Sequence, residues 1–331
     1  MKNVSVKSKS ARRFTRFAWF VVAYNILVVV WGAFVRASKS GDGCGTSYPL
    51  CNGMIVPHAA EIKTIVEFSH RLSSGVALLC VIALVFWAFR AFPRKHLARK
   101  GAVLSLVFIL TEAAIGAGLV LLELVAHNDS IARAVWMSAH LVNTFILLAV
   151  LVLTAYWAGN GERRIYFRGN ETRAVSFAAA IAGMMLVGVS GAIAALGDTL
   201  FPAESLAHGI QQDFSETAHV LIRLRIWHPV LSILTGLFMA LLATRHFRQK
   251  TDDQRTKHFS LAVIVLVLIQ LAAGALNVLL LTPIWMQLLH LFLADLLWLS
   301  LILLAVSSLS QTAEEIVEVK NAETRLETVE V

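Results

Sequence analysis

Glu67-Phe68-Ser69-His70-Arg71-Leu72 opens one long apolar run, and Arg225-Ile226-Trp227-His228-Pro229-Val230 opens another. His70 to His228, Glu112 to Gln270 and Gly116 to Gly274 are each 158 positions apart, so the chain is a tandem duplication. Each half holds a second histidine in a similar setting, His140 in SAHLVN and His290 in LLHLFL. Polar nitrogens in lipid are retained mainly when they have a partner, and imidazole is a common axial ligand to haem iron. A single histidine of this kind reads as an ordinary core residue. Four in repeated register read as two metal-centred sites.

Of the 331 residues, 57% are hydrophobic and 15% charged, with a mean hydropathy of +0.71. A soluble domain is about a quarter charged, so the composition is that of an integral membrane protein. Runs long enough to span a bilayer cover about 15–35, 66–92, 101–123, 132–158, 172–197, 217–243, 259–281 and 284–309. Arg12, Arg13 and Arg16 precede the first. Arg94, Lys95, Arg99 and Lys100 fill the second connection; Arg163, Arg164 and Arg168 the fourth; Arg245, Arg248, Lys250, Arg255 and Lys257 the sixth. The positive-inside rule places these connections and both termini in the cytoplasm. The basic pI of 9.7 therefore reports topology, because the cations are spread over separate short connections instead of forming one nucleic-acid patch. The first run is too long for a signal-peptide core and is read as an uncleaved helix in a bacterial inner membrane. Residues 312–331 form an acidic cytoplasmic tail.

Four runs return the chain to its starting side, so the two halves share one orientation. The expected fold is all-α integral membrane: eight transmembrane helices as two pseudo-symmetric, parallel-oriented four-helix bundles. The N-terminal bundle is residues 1–160, with a cysteine loop, and the C-terminal bundle is 161–311. GAFVRASKSGD (32–42) matches GAIAALGDTLFP (191–202), and IGAGLV (115–120) matches AAGALNV (272–278). Gly116, Gly118, Gly188, Gly191 and Gly274 are read as helix-packing positions. All four histidines fall in the outer half of the bilayer, so His70 pairs with His140 and His228 with His290, each pair flanking one planar macrocycle.

The first outer loop carries Cys44 and Cys51, which can form a disulfide on the oxidising side of the membrane. The bond serves either as a staple over the first histidine pair or in thiol–disulfide exchange. Glu67 shares a helix face with His70. It is either a hydrogen-bond acceptor at the helix end or the catalytic proton donor and acceptor. Position 225 in the other half is arginine, so the two sites are expected to differ, with chemistry in the first. Arg36, Arg71, Arg223 and Arg225 are candidates for propionate contacts, the alternative being snorkelling to the interface. Glu112 and Asp295 are intramembrane acids expected to hydrogen-bond a neighbouring helix. Cys80 is read as packed, and His58, His96, His127, His208, His219, His246 and His258 receive no ligand role, with His96, His246 and His258 placed in cytoplasmic loops. No CxxCH is present for thioether attachment of haem.

Gly32 to Gly53, EFSHR, His140, IWHP and His290 together resemble the haem A synthase family, and the resemblance covers all eight runs. It implies an oxidoreductase that converts the C8 methyl of haem O to a formyl group by successive hydroxylations. His228 and His290 would ligate a haem b cofactor through its iron. His70 and His140 would flank the substrate, haem O, with Glu67 assisting proton transfer. The implied partners are haem O synthase and an electron donor, with self-association left open. Tyr48 stands where the family pattern has Trp, and the loop after the fifth run lacks a second cysteine pair, so other contacts must hold residues 198–216. The alternatives are a di-haem b electron carrier from a quinol to an outer acceptor, and a haem-handling transporter.

Overall fold

The computed structural model describes residues 2–57, 61–160, 164–165, 170–249 and 254–311. Among these, eight helices are long and apolar enough to cross a bilayer: Lys9–Ala37, Ile62–Ala91, Leu97–Leu121, Ile131–Asn160, Glu171–Leu200, Val220–Arg248, Gln254–Leu279 and Ile284–Leu309. The protein is an all-helical integral membrane protein, as lipid requires of backbone groups that find no water to bond. In chain order the helices are α1 (Lys2–Ala37), α2 (Ile62–Ala91), α3 (Leu97–Leu121), α4 (Ile131–Asn160), α5 (Glu171–Leu200), α6 (Leu206–Phe214), α7 (Val220–Arg225), α8 (Trp227–Arg248), α9 (Gln254–Leu279) and α10 (Ile284–Leu309). Arg163, Arg168, Lys250, His58 and the tail 312–331 lie outside the described residues.

Four boundaries differ most from the hydropathy reading. The sixth span is two helices, α7 and α8, broken at Ile226. Pro229 has no N–H to offer the carbonyl of Arg225, and its ring crowds that carbonyl, so the ladder stops one turn before it. The first helix reaches back beyond Arg12, Arg13 and Arg16. At the other end of α8 the helix continues to Arg248, where Arg245 and Arg248 face the unpaired carbonyls of the last turn. His246, placed in a loop by its sequence neighbours, is therefore a buried helical residue standing edge-on to Phe177 at 5.1 Å. His258 likewise lies within α9.

Helices α1 to α4 close a ring in which each packs on the next and α1 meets α4; α5, α8, α9 and α10 close a second ring. The rings join where α4 meets α5 and α10, and where α1 meets α10. Trp298 of α10 stacks on Phe145 of α4 at 4.9 Å and donates its indole N–H to the Phe145 carbonyl at 2.7 Å. A buried Trp needs such an acceptor, and this one fastens the central seam. Gly101, Gly118 and Gly188 allow Thr154, Trp136 and Phe145 to close in from neighbouring helices. A short antiparallel pairing of β1 (Arg164–Ile165) with β2 (Ser310–Gln311) ties the connection after α4 to the end of α10.

Candidate functional site

The four histidines lie within three turns of the starts of α2, α4, the α7–α8 span and α10. Those starts share one side of the protein, the side of the cysteine loop. Behind each imidazole stands a glycine of another helix. A Cβ at Gly32 would meet His70 at 2.9 Å, one at Gly191 would meet His228 at 2.9 Å, and one at Gly274 would meet His290 at 3.1 Å. At Gly116 the distance to His140 is 3.8 Å. Three of these glycines read from sequence as general packing positions. Their specific task, a notch that receives the imidazole, appears only when the helices are placed side by side.

His228 and His290 face one another with ring centroids 6.3 Å apart and planes at 88°. A metal–imidazole bond of about 2 Å on each side, plus about 1.1 Å from each ring nitrogen to its centroid, spans about 6 Å. The pair therefore stands at a spacing that would let both imidazoles bind one metal ion between them. Ser190 Oγ lies 3.1 Å from His228 Nδ1, the kind of partner that fixes a ligand ring. Gln270 Nε2 lies 3.3 Å from His290 Nε2 and donates to the His290 carbonyl at 3.1 Å. Coordination through that Nε2 requires the first of these contacts to give way. His290 Nδ1 is buried without a hydrogen-bond partner among the described residues.

In the other ring, His140 Nδ1 lies 3.3 Å from Glu112 Oε1. Glu112 also accepts hydrogen bonds from Asn143 Nδ2 at 2.5 Å and from Thr144 Oγ1, both on α4, as its intramembrane position implied. Glu112 and Gln270 occupy matching places in the repeat, so His140 is backed by a carboxylate and His290 by an amide. His70 Nδ1 is buried and without a hydrogen-bond partner among the described residues. One continuous cavity of about 1490 Å³ is lined by all four histidines. Single-ligand pockets occupy roughly 300–1,000 Å³, so this one has room for more than one large ligand.

Two covers close the cavity on the cysteine-loop side. In the first, Cys44 and Cys51 form a disulfide and are fully buried. Glu67 Oε2 accepts from the Cys44 amide at 2.8 Å; Glu67 Oε1 accepts from Arg71 Nε at 3.1 Å and Nη2 at 2.5 Å. Arg71 Nη1 donates to the carbonyls of Ser47 at 2.6 Å and Leu50 at 2.7 Å, and its guanidinium lies 5.2 Å from the Tyr48 ring centre. The EFSHR stretch thus pins the loop, and Tyr48 supplies an aromatic face to the arginine.

The second cover has no disulfide and is held by charge. Arg225 donates to Asp198 at 2.9 Å, to Asp213 at 2.5 Å and to the Gly209 carbonyl at 3.0 Å. That fork fastens α6, itself capped by Ser205 on the His208 amide, to α5 and α7. Positions 67 and 225 do the same job with opposite sign.

The arginines expected near propionates therefore separate. Arg71 and Arg225 are spent on the covers. Arg36 crosses between rings, donating to the Ala195 carbonyl and Thr199 Oγ1 at 2.7 Å each and to Gln287 Oε1 at 2.9 Å. Arg223 is exposed and outside the cavity wall. Arg133, which the sequence reading passed over, is 2% exposed and lines the cavity; its signal was the seven-residue spacing to His140. Asp295 is fully buried with neither oxygen hydrogen-bonded among the described residues.

Two pairs of histidines, one with its rings 6.3 Å apart, thus line one large cavity of an all-helical membrane protein. The chain belongs to the COX15-CtaA family, cytochrome oxidase assembly protein, whose model matches residues 15–302. It is 41% identical over 314 residues to a protein of Thermus thermophilus named protoheme IX farnesyltransferase, covering 94% of this chain and 51% of that protein. The chain thus spans about half the length of that relative. It is also 28% identical over 277 residues to the Heme A synthase of an Exiguobacterium species, covering 84% of this chain and 87% of that protein. The Heme A synthase of Exiguobacterium sibiricum is 32% identical over 152 residues, 46% of this chain and 50% of that protein.

Proposed function

We propose that this protein is a haem A synthase, a membrane oxidoreductase that oxidises the C8 methyl of haem O to a formyl group through successive hydroxylations. The observation that carries the reading is the facing of His228 and His290 at 6.3 Å, beside a second histidine pair in the same cavity. His228 and His290 hold haem b, which supplies one-electron chemistry to the neighbouring site. His70 and His140 hold and orient the substrate haem. Glu112 Oε1 lies 3.3 Å from His140 Nδ1 without forming a hydrogen bond; a reorientation of the ring would let Glu112 accept that proton and leave Nε2 free for the substrate iron. The covers exclude water from the outer side of the cavity. Both oxygens of Glu67 accept hydrogen bonds, as do both of Glu112, but Glu112 also lies 3.3 Å from His140 Nδ1; we therefore read Glu67 as the anchor of the cysteine loop and Glu112 as the proton-handling acid.

The Thermus relative's name supports a partner more than an alternative activity. Transfer from a prenyl diphosphate commonly needs carboxylates free to hold a divalent cation, whereas Glu67, Asp198 and Asp213 are bound to arginines and Glu112 to asparagine and threonine. We assign the farnesyl transfer named there to the part of that protein this chain does not match, which makes a haem O synthase the natural supplier of substrate. An electron donor is the other partner. The setting is a bacterial inner membrane with both termini in the cytoplasm, from the distribution of Lys and Arg.

Extraction and chromatography of haems from protein purified with and without a co-expressed haem O synthase tests this reading. Haem b alone without haem O synthase, and haem b with haem O or haem A in its presence, is the expected result. Two equivalents of haem b under both conditions would instead mean an electron carrier. Glu112→Gln is expected to accumulate haem O, with oxidation slowed roughly 10²–10⁴-fold, while Glu67→Gln retains more activity. The reverse ranking would return the proton role to Glu67.

Gly32→Ala puts a methyl 2.9 Å from the His70 ring, an overpacking that typically costs about 1–3 kcal/mol. The variant is expected to keep haem b and lose the second haem. Gly159→Ala, outside the cavity wall, where the added carbon would lie 3.2 Å from Thr15, is the control for overpacking alone. Equal haem content in the two variants would remove the notch from the argument.

A further inference from the structure

Resting on the assignment of a haem to His70 and His140, we propose that Arg133 anchors a carboxylate of that haem. Arg133 stands in the first turn of α4 and is 2% exposed. Its Nη1 donates to the carbonyls of Ala126 at 2.8 Å and Asn128 at 2.7 Å, which holds the connection before α4 at a residue with left-handed backbone, Ala126. One nitrogen is enough for that task. Nε is buried with no hydrogen-bond partner among the described residues, and the side chain lines the cavity.

Glu112, the fourth acid of the cavity wall, is held against His140 and Thr144, seven or more residues along α4 from Arg133, and the charges at the Arg133 end do not balance without a ligand. Arg71 is paired with Glu67. Arg225 is paired with both Asp198 and Asp213, which leaves one negative charge, and Arg36 feels the attraction of Asp198 and the repulsion of Arg133. Arg36 itself is bonded only to neutral acceptors among the described residues. Arg133 then remains as a buried cation with no counter-charge, a costly state. An anion entering the cavity relieves it.

Geometry selects the anion. Arg133 and His140 are seven residues apart, two turns of one helix, so they share a face and are separated by about 10 Å along the axis. That separation matches the reach from the centre of a porphyrin to its carboxylate edge. The guanidinium edge carrying Nε is suited to a forked contact with such a group. A phospholipid phosphate presents similar oxygens, and the test distinguishes the two.

Protein purified with its haem b in place is titrated with ferric protohaem and with its dimethyl ester, following absorbance, for the unmodified chain, Arg133→Gln and Arg133→Lys. The unmodified protein is expected to prefer the free acid by roughly tenfold or more, the scale of a hydrogen bond to a charged group. Arg133→Gln should lose that preference by weakening the acid alone, and Arg133→Lys should keep part of it. If Arg133→Gln fails to retain haem b, showing wider damage, the lysine variant decides: full preference there, with no loss of the forked contact, overturns the proposal. Unchanged preference in Arg133→Gln, or loss of co-purified phospholipid phosphate in its place, also overturns it. If the unmodified protein takes up neither form, the assignment of a haem to His70 and His140 falls first and takes the anchor with it.

Discussion

Protein carrying His228→Ala or His290→Ala is expected to purify without its tightly held haem b. The two rings stand 6.3 Å apart at right angles on α8 and α10, so each substitution would remove one of the two ligands proposed for the haem iron. Altering the outer partners of a metal ligand already costs about 10–100-fold in affinity, and loss of the ligand itself exceeds that. Folding should survive, because the α4–α10 seam at Phe145 and Trp298 lies apart from the imidazoles. The measurement is haem content per chain after extraction, with helicity as the check on folding. Unchanged haem b in both folded variants would end the assignment of the cofactor to this pair.

Arg225→Ala is the second large effect. The substitution leaves Asp198 and Asp213 without the cation that bridges them. Breaking a fully buried pair by deleting one partner typically costs about 3–5 kcal/mol, and these part-buried side chains are expected at or below the lower end of that range. The expected result is release of α6, read as faster amide exchange over residues 206–214, with a lowered thermal midpoint and weaker retention of haem b. Lysine should restore little, since one ammonium group cannot fork between two carboxylates and a carbonyl as Arg225 does. Arg225→Leu combined with Asp213→Asn should recover much of the stability, because Asp198 then still faces Arg36 and no further uncompensated charge is created. Exchange over α6 as slow as in the unmodified protein would show that the cover is held by something else.

The contrast between the covers clarifies what the repeat preserves. A disulfide with Glu67 and Arg71 fastens one, and Arg225 with two aspartates fastens the other. Each half carries a cover beside its histidine pair, and the two covers are fastened by different chemistry. The difference between the two sites lies closer to the imidazoles, where Glu112 stands against His140 and Gln270 against His290.

The sequence by itself determined the eight spans, the duplication and the placement of four histidines near one side of the membrane. Those follow from local hydropathy and from spacing along single helices, which the bilayer translates directly into depth. The break at Ile226 was also written locally, in Pro229, although an apolar run conceals it. Tertiary structure alone decided which partner each charged group takes. Glu67 read as the acid beside His70, and the loop brings the Cys44 amide to it, while Arg71 one turn on along α2 takes its other oxygen. Arg36 read as a propionate contact, and α5 and α10 supply its acceptors. Gly32 became the notch for His70 only because α1 lies against α2. A charge or a glycine specifies a need, and the nearest group on an adjacent helix, set by packing across many tens of residues, decides how that need is met.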